Sequence, residues 1–120
     1  MNNKRTAEQF GRRAETLAAW SLRLKGYRIL ARGFRTPVGD IDIIARRGRL
    51  VVFIEVKARR SLDIAAGSIG RRQTDRIIRA ASAFMQGRPQ LEKFDQRFDA
   101  VLVAPWRWPV HLVDAWLPTT

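Results

Sequence analysis

The chain has 120 residues, 46% of them hydrophobic, which is enough for one domain with a buried core and too few for two. Its 23 lysines and arginines outnumber 11 aspartates and glutamates, and the formal net charge of +12 predicts a polyanionic partner. The absence of cysteine excludes disulfides and thiolate metal sites, and a single histidine, His111, argues against a zinc site.

The basic residues favour nucleic acid over an anionic membrane surface as that partner. Most of them are arginines spread along the chain, whereas a membrane anchor typically has a lysine block beside an amphipathic segment. The N-terminus has no apolar signal-peptide stretch, and no apolar run approaches the roughly 20 residues that a spanning helix needs. The sequence therefore predicts a cytoplasmic protein with no membrane contact.

The first predicted element is a helix over residues 6–25. Its apolar stripe repeats at helical spacing and contains Phe10, Ala14, Leu17, Ser21 and Leu24. Residues 27–32 predict a short strand, and Pro37 predicts that residues 33–38 are irregular.

Two strands joined by a short turn follow in the sequence. Residues 39–45 and 50–57 both alternate polar with apolar side chains, and residues 46–49 contain a glycine typical of a turn. This pattern predicts an antiparallel hairpin. Residues 60–70 are rich in glycine, alanine and serine, and we expect them to form a mobile loop beside the hairpin.

The last third of the chain predicts a helix and two strands. Residues 71–85 have an apolar face opposite a face of arginines, which is typical of an amphipathic helix. Residues 98–104 and 110–113 predict strands, separated by the sequence Pro-Trp-Arg-Trp-Pro. The order αβββαββ predicts a single α/β domain over residues 1–120, with a mixed central sheet, an antiparallel hairpin at its centre and flanking helices.

Acidic residues on the predicted hairpin suggest a metal site. Cleavage of a phosphodiester is helped by an ion such as Mg²⁺, which takes carboxylate, carbonyl and water oxygens as ligands. A hairpin centred on Arg47 and Gly48 would pair Glu55 with Asp40 and place Asp42 opposite Phe53. Asp40, Asp42, Glu55 and Lys57 would then share one face, with Asp42 and Glu55 as diagonal neighbours roughly 7–8 Å apart.

Lys57 follows Glu55 on the same predicted face, where it could orient water or stabilise charge on a phosphate. A surface salt bridge is the alternative. Glu15 could join the metal or substrate site, or it could be a solvated acid or form a pair with Arg12. Asp40 could be a further ligand or only a strand-start acid.

Other polar residues have structural explanations of their own. Asp99 is expected to pair with Arg97, and His111 is expected to be structural. Trp106, Trp108 and Trp116 could stack on unpaired bases, although packing in the core or in a loop is the commoner use of tryptophan.

Six arginines flank the proposed site, where they would contact phosphates without reading sequence. A solvated helix face explains any one of them but is a weaker explanation for the whole set. They are Arg59, Arg60, Arg71, Arg72, Arg76 and Arg79.

The two strand motifs, Gly-Asp-Ile-Asp-Ile-Ile-Ala over residues 39–45 and Phe-Ile-Glu-Val-Lys-Ala-Arg over residues 53–59, carry a family resemblance. With residues 11–15, 26–30, 76–81 and 97–101, they resemble the bacterial YraN, or UPF0102, family.

That resemblance implies a restriction-endonuclease-like fold, similar to that of archaeal Holliday-junction resolvases. It implies Asp42 as the motif acid, Glu55 as the second acid, Lys57 as the motif lysine and Glu15 as a possible further acid. The family usually has glutamate where this chain has Asp40.

The resemblance also draws attention to the second helix. The family usually has a lysine near Gln73, and related nucleases use a glutamine on this helix near the site. Gln73 is therefore grouped with the nucleic-acid-contacting residues.

These observations favour a DNA-binding protein of repair or recombination, with DNA preferred over RNA. We expect an endonuclease dependent on Mg²⁺ or Mn²⁺ that acts on branched or non-duplex DNA, and symmetric cutting of a four-way junction would require a homodimer. One alternative is a non-catalytic DNA-binding module with relic acids or a structural ion. Another is an adaptor that recruits partners through its tryptophan-bearing C-terminal segment.

Overall fold

A computed structural model describes residues 3–116 of the chain, with side chains from residue 9 onward. The elements in chain order are α1 (Asn3–Leu24), β1 (Arg28–Thr36), β2 (Gly39–Arg47), β3 (Leu50–Ala58), α2 (Leu62–Gly67), α3 (Arg71–Gln86), a short 3₁₀ helix (Pro89–Leu91), β4 (Asp95–Val103) and β5 (Val110–Leu112).

The strands form one mixed sheet in the order β1-β2-β3-β4-β5. The first three strands are mutually antiparallel, β3 and β4 are parallel, and β5 returns antiparallel to β4. Because β3 and β4 are parallel, the chain must cross the sheet between them, and α2 and α3 provide that crossover. This architecture confirms the predicted α/β class and is compatible with a restriction-endonuclease-like core.

The helices bury opposite faces of the sheet. The α1 side contains Ala14, Ala18, Ala19 and Leu22 packed with Ile43, Val52, Ile54 and Val101. The α3 side contains Ile77, Ala80, Ala81 and Phe84 packed with Ile44, Val51, Phe53 and Phe98. Leu24, which was expected on the apolar face of α1, is 73% exposed. Between residues 3 and 116, no helix combines the length and the apolar character that crossing a membrane requires.

Strand β1 is longer than predicted and continues to Thr36, so residues 33–36 are not irregular. Pro37 lies in the turn that follows, between the paired residues Thr36 and Gly39. The Thr36 hydroxyl accepts hydrogen bonds from the backbone N–H groups of Val38 at 3.2 Å and Gly39 at 3.0 Å. Proline therefore ends the strand one residue after its last pair and does not disrupt it.

The prediction that residues 60–70 form a loop is wrong for residues 62–67, which form α2. The Ser61 hydroxyl caps this helix by accepting a hydrogen bond from the N–H of Ile64 at 3.2 Å. Ala65 is fully buried against Ala100 and Leu102. Packing against β4 thus stabilises a helix too short to be stable by itself.

The register of the central hairpin also differs from the prediction. Arg47 pairs with Leu50, so the connecting loop consists of Gly48 and Arg49. Gly48 has a φ of 60°, a conformation that two-residue hairpins require and glycine adopts without strain. Phe53 consequently pairs with Ile44 instead of Asp42.

Candidate active site

Strands β2 and β3 separate at the place where the two acids meet. Their pairing ends at Ile43 and Ile54. One residue further, the Asp42 carboxylate accepts a hydrogen bond from the N–H of Val56 at 2.8 Å. A side chain therefore takes the place of a backbone acceptor, and the strands diverge around it.

This register brings Asp42 level with Glu55. Asp42 and Glu55 are the next residues beyond the last pair, Ile43 with Ile54, toward the end where the two strands separate. The two side chains lie close enough together that each changes the pKa of the other. The predicted pairing of Glu55 with Asp40 is wrong, yet the expected proximity of Asp42 to Glu55 is present.

Burial raises the pKa of both acids. Burial is the main cause at Glu55, and the neighbouring Asp42 charge adds to it, so that the pKa of Glu55 rises to about 8. Burial likewise raises the pKa of Asp42, although the Val56 N–H opposes the shift. At neutral pH the metal-free pair therefore retains a proton that a cation could displace.

Lys57 and Gln73 both contact Glu55. The Lys57 ammonium lies 3.4 Å from Oε1 of Glu55, and both side chains are largely buried. The Gln73 amide, which projects from α3, donates a hydrogen bond to the same oxygen at 2.9 Å. Gln73 thus lies inside the acidic site and orients Glu55, whereas the neighbouring arginines of α3 remain exposed.

The other two acids lie to either side of this pair. Asp42 and Glu15 line one hollow of about 660 Å³ beside α1. Asp40 is exposed and lines another, of about 390 Å³, together with Gln73 of α3. The expectation that Asp40 and Asp42 share one face is therefore wrong, because β2 is irregular where it leaves β3.

Glu15 has a partner other than Arg12. Its carboxylate accepts a hydrogen bond from Arg32 of β1 at 3.2 Å, and Arg32 also donates to the Thr16 hydroxyl at 3.0 Å. The pair is partly exposed, which makes it a weak interaction that a ligand could displace.

A hard divalent cation fits the donors that the chain offers. In the described part of the chain, no three acidic or histidine side chains converge on one point. Asp42 and Glu55 approach each other as a pair, and Mg²⁺ is commonly held by one or two carboxylates with water completing its octahedron. The site lacks the nitrogen and sulfur ligands that zinc prefers.

Arginines surround both hollows. Arg12, Arg35 and Arg59 line the hollow that contains Asp42. Arg35 was not among the predicted site residues, because β1 was expected to end before it. The polar-apolar alternation around Phe34 was the signal in the sequence that could have extended the strand.

The six arginines that were predicted to contact phosphates are all exposed. Arg60 is exposed just after β3. The four arginines of α3 are exposed and line a shallow depression on that helix; they are Arg71, Arg72, Arg76 and Arg79.

A second polar cluster lies away from this site, on β4. Asp99 is fully buried and accepts two hydrogen bonds from Arg97, at 2.7 and 2.8 Å, which confirms their predicted pairing. His111 of β5 bonds to Asp99 at 2.6 Å, and the N–H of Asp114 donates to it at 2.8 Å. Burial opposes ionisation, but these hydrogen bonds lower the pKa of Asp99 to about 2. His111 therefore has a structural partner.

Comparison with known proteins gives a consistent family. The model of "Uncharacterised protein family UPF0102" matches residues 14–103. A UPF0102 protein of Nitrobacter winogradskyi is 56% identical over 110 residues, covering 92% of this chain and 93% of that one. Another, from Parvibaculum lavamentivorans, is 51% identical over 112 residues, covering 93% and 84%. A third, from Rhodopseudomonas palustris, is 57% identical over 106 residues, covering 88% and 83%.

Proposed function

This chain belongs to the uncharacterised protein family UPF0102, and we propose that it is a metal-dependent nuclease that cleaves DNA. The observation that carries the proposal is the proximity of a half-buried acid, Asp42, to a buried one, Glu55, both with raised pKa values. A protein gains no stability from placing two acids side by side in a partly buried site, so the pair is better explained by a ligand that needs both.

The residues around the pair suit attack on a phosphodiester. Bound by Asp42 and Glu55, Mg²⁺ or Mn²⁺ would polarise the scissile phosphate and lower the pKa of the attacking water. The Lys57 ammonium, 3.4 Å from Glu55, is placed to stabilise negative charge that develops on the phosphate. The Gln73 amide fixes the orientation of Glu55 through its 2.9 Å hydrogen bond.

The shape and charge of the surface favour a nucleic-acid backbone as the substrate. The hollow beside Asp42 is open and bordered by Arg12, Arg35 and Arg59. Arginines at such positions neutralise phosphates and do not by themselves select a sequence. We therefore favour recognition of DNA structure, with branched or otherwise non-duplex DNA as the substrate.

The test is cleavage of a labelled panel containing a four-way junction, a flap, a single strand and a duplex, each with Mg²⁺, Mn²⁺ or EDTA. Glu55→Gln keeps an oxygen that can accept from Gln73 but removes the charge, so we expect cleavage to fall at least about 100-fold, as loss of one electrostatic group in an active site does. Glu92→Gln makes the same chemical change at an exposed position and is the matched control.

Cleavage by the wild type and by Glu92→Gln, but not by Glu55→Gln, would support the proposal. Equal cleavage by all three proteins would assign the activity to a contaminant.

A non-catalytic binding module is the second candidate, and it is favoured by the convergence of only two acids among the described residues. It predicts DNA binding that weakens with salt and is indifferent to divalent ions. Binding without product on any member of the panel, in either metal, would support it over the nuclease.

A further inference from the structure

The turn between β4 and β5 presents two tryptophans to solvent. We call residues 105–109, Pro-Trp-Arg-Trp-Pro, the tryptophan tip. Trp106 is 101% exposed and Trp108 is 60% exposed. A fully exposed tryptophan gains nothing from burial, so packing within this chain does not explain Trp106.

The backbone of the tip is both strained and stiff. Trp106 has a φ of 64°, in the left-handed region that is unfavourable for a residue with a Cβ atom. Prolines at both ends restrict the turn, and Pro109 is itself buried. An exposed aromatic ring held in a costly conformation is typical of a surface preorganised for a ligand.

The tip projects from the same end of the sheet as the acidic pair. Parallel strands β3 and β4 run in register, with Glu55 opposite Ala100 and Ala58 opposite Val103. The N–H of Arg59 donates to the carbonyl of Val103 at 3.0 Å, which joins the two strand ends. At about 3.3 Å per residue, the start of the tryptophan tip lies roughly 15 Å beyond Glu55 along the sheet.

The charge around the tip identifies the class of ligand. Arg107 lies between the two tryptophans, and Arg59 and Arg60 follow the adjacent strand. Arginine interleaved with exposed aromatic rings matches a strand that alternates phosphates with bases, because the cation contacts phosphate while the ring stacks on a base. A duplex has its bases already stacked and offers no free base face to such a ring.

From these observations we infer that Trp106 and Trp108 stack on unpaired bases a few nucleotides from the phosphate bound at Asp42 and Glu55. The substrate class is then DNA with a single-stranded segment next to the cleaved bond. This inference deepens the proposed function and rests on it for the position of the cleaved bond, whereas the stacking itself requires no catalysis.

The experiment measures binding in EDTA, so that it does not depend on cleavage. The probes are a labelled oligothymidine and a duplex of the same length, read by fluorescence anisotropy. We expect Trp106→Ala to weaken single-strand binding roughly 5- to 150-fold, the equivalent of the 1–3 kcal/mol that stacking of one base contributes. Duplex binding should change less than about twofold, within the range of a surface substitution.

Two further variants isolate the role of the ring. Trp106→Phe keeps an aromatic face and should restore most of the single-strand affinity. Trp20→Ala removes another exposed tryptophan, 56% accessible on α1 and also beside an arginine, and should leave both affinities near the wild-type values.

Equal losses on single strand and duplex after Trp106→Ala, or no loss on either, would overturn the inference. So would a wild-type dimer that Trp106→Ala dissociates in sedimentation while DNA affinity is unchanged, because the tip would then contact a second copy of the chain. If Trp106→Ala selectively loses affinity for the single strand and the wild type cleaves no substrate, the stacking inference stands and the proposed nuclease activity does not.

Discussion

Asp42 has two roles that a single substitution can separate. Its carboxylate accepts the hydrogen bond from Val56 that stabilises the divergence of β2 and β3. Its charge also raises the pKa of Glu55, in addition to the effect of burial. Asparagine retains the acceptor and removes the charge, so Asp42→Asn is a cleaner probe than Asp42→Ala, which would leave the Val56 N–H without its partner.

The acidic pair gives the metal-free protein a characteristic pH dependence. Glu55 has a pKa of about 8 in the folded protein against an ordinary 4.5, so its contribution to stability is full below pH 4.5 and is lost as the pH rises through 8. In EDTA we expect the free energy of unfolding, measured by denaturant titration, to fall over that window. Saturating Mn²⁺ should reduce the fall, because the ion binds the deprotonated acids of the folded state.

Asp42→Asn is the control for this pH dependence. Removing its charge should lower the pKa of Glu55 toward the value set by burial alone, so the loss of stability should be smaller in EDTA and less sensitive to Mn²⁺. Identical slopes in the wild type and the variant would show that other groups cause the dependence.

Among single residues, the proximity of Asp42, Glu55 and Lys57 was predictable from the sequence, and the contacts around them were not. Alternation along two strands was enough to bring Asp42, Glu55 and Lys57 into one region, because hairpin partners lie close together whatever the register. The hydrogen bond from Gln73 to Glu55 was not predictable from spacing, since it depends on how α3 lies against the sheet. Arg35 was not predicted near the site because β1 was expected to end before it.

At the scale of elements, the predictions failed where tertiary contacts decide. Helix α2 has a composition typical of a loop, and burial of Ala65 against β4 stabilises it. The hairpin register depended on which two residues form the loop, and the positive φ of Gly48 selects Gly48 and Arg49. The long helices and the alternating strands were predicted correctly because their periodicity spans many residues.

The close approach of β2 to α3 depends on Gly39. A Cβ atom at this position would lie 2.4 Å from the backbone carbonyl oxygen of Arg76, so one of the two elements would have to move. We expect Gly39→Ala to lower the free energy of unfolding by about 1–3 kcal/mol, as overpacking does. Denaturant titration measures this loss.

The same displacement should reach the acidic site, because Gln73 is on the displaced helix and bonds to Glu55. Gly39→Ala should therefore weaken Mn²⁺ binding as well. Gly67→Ala is the matched control, since a Cβ atom there meets nothing within 4 Å. A Gly39→Ala protein as stable as Gly67→Ala would contradict this account of the contact.

At the scale of the whole molecule, exposed arginines border both hollows of the candidate site. The exposed arginines of α3 lie beside the hollow that contains Gln73, and those of the Asp42 hollow lie beside α1. A strand that follows both hollows would pass the acidic pair between them. If DNA is the ligand, the net charge of +12 would attract it at long range.

The salt dependence of DNA binding measures these contacts. If Arg72 contacts a phosphate, Arg72→Ala should reduce the slope of log affinity against log salt by about 1. Arg28→Ala is the matched control, because Arg28 is exposed but pairs with Arg46, toward the opposite end of β2 from Asp42. Equal reductions for both variants would indicate a diffuse attraction with no defined path along α3.

A buried carboxylate helps to attach the C-terminal segment to the sheet, together with the pairing of β5 with β4. Strand β5 has only three residues, and its side chains Val110 and Leu112 are each 36% exposed, so apolar burial holds it weakly. Asp99 accepts hydrogen bonds from both His111 and Asp114 of that segment. The tryptophan tip lies in the chain between Asp99 and His111, so their 2.6 Å contact closes the loop that carries it. A substitution that weakens this contact should therefore reduce the affinity for a single strand while leaving the acidic pair intact.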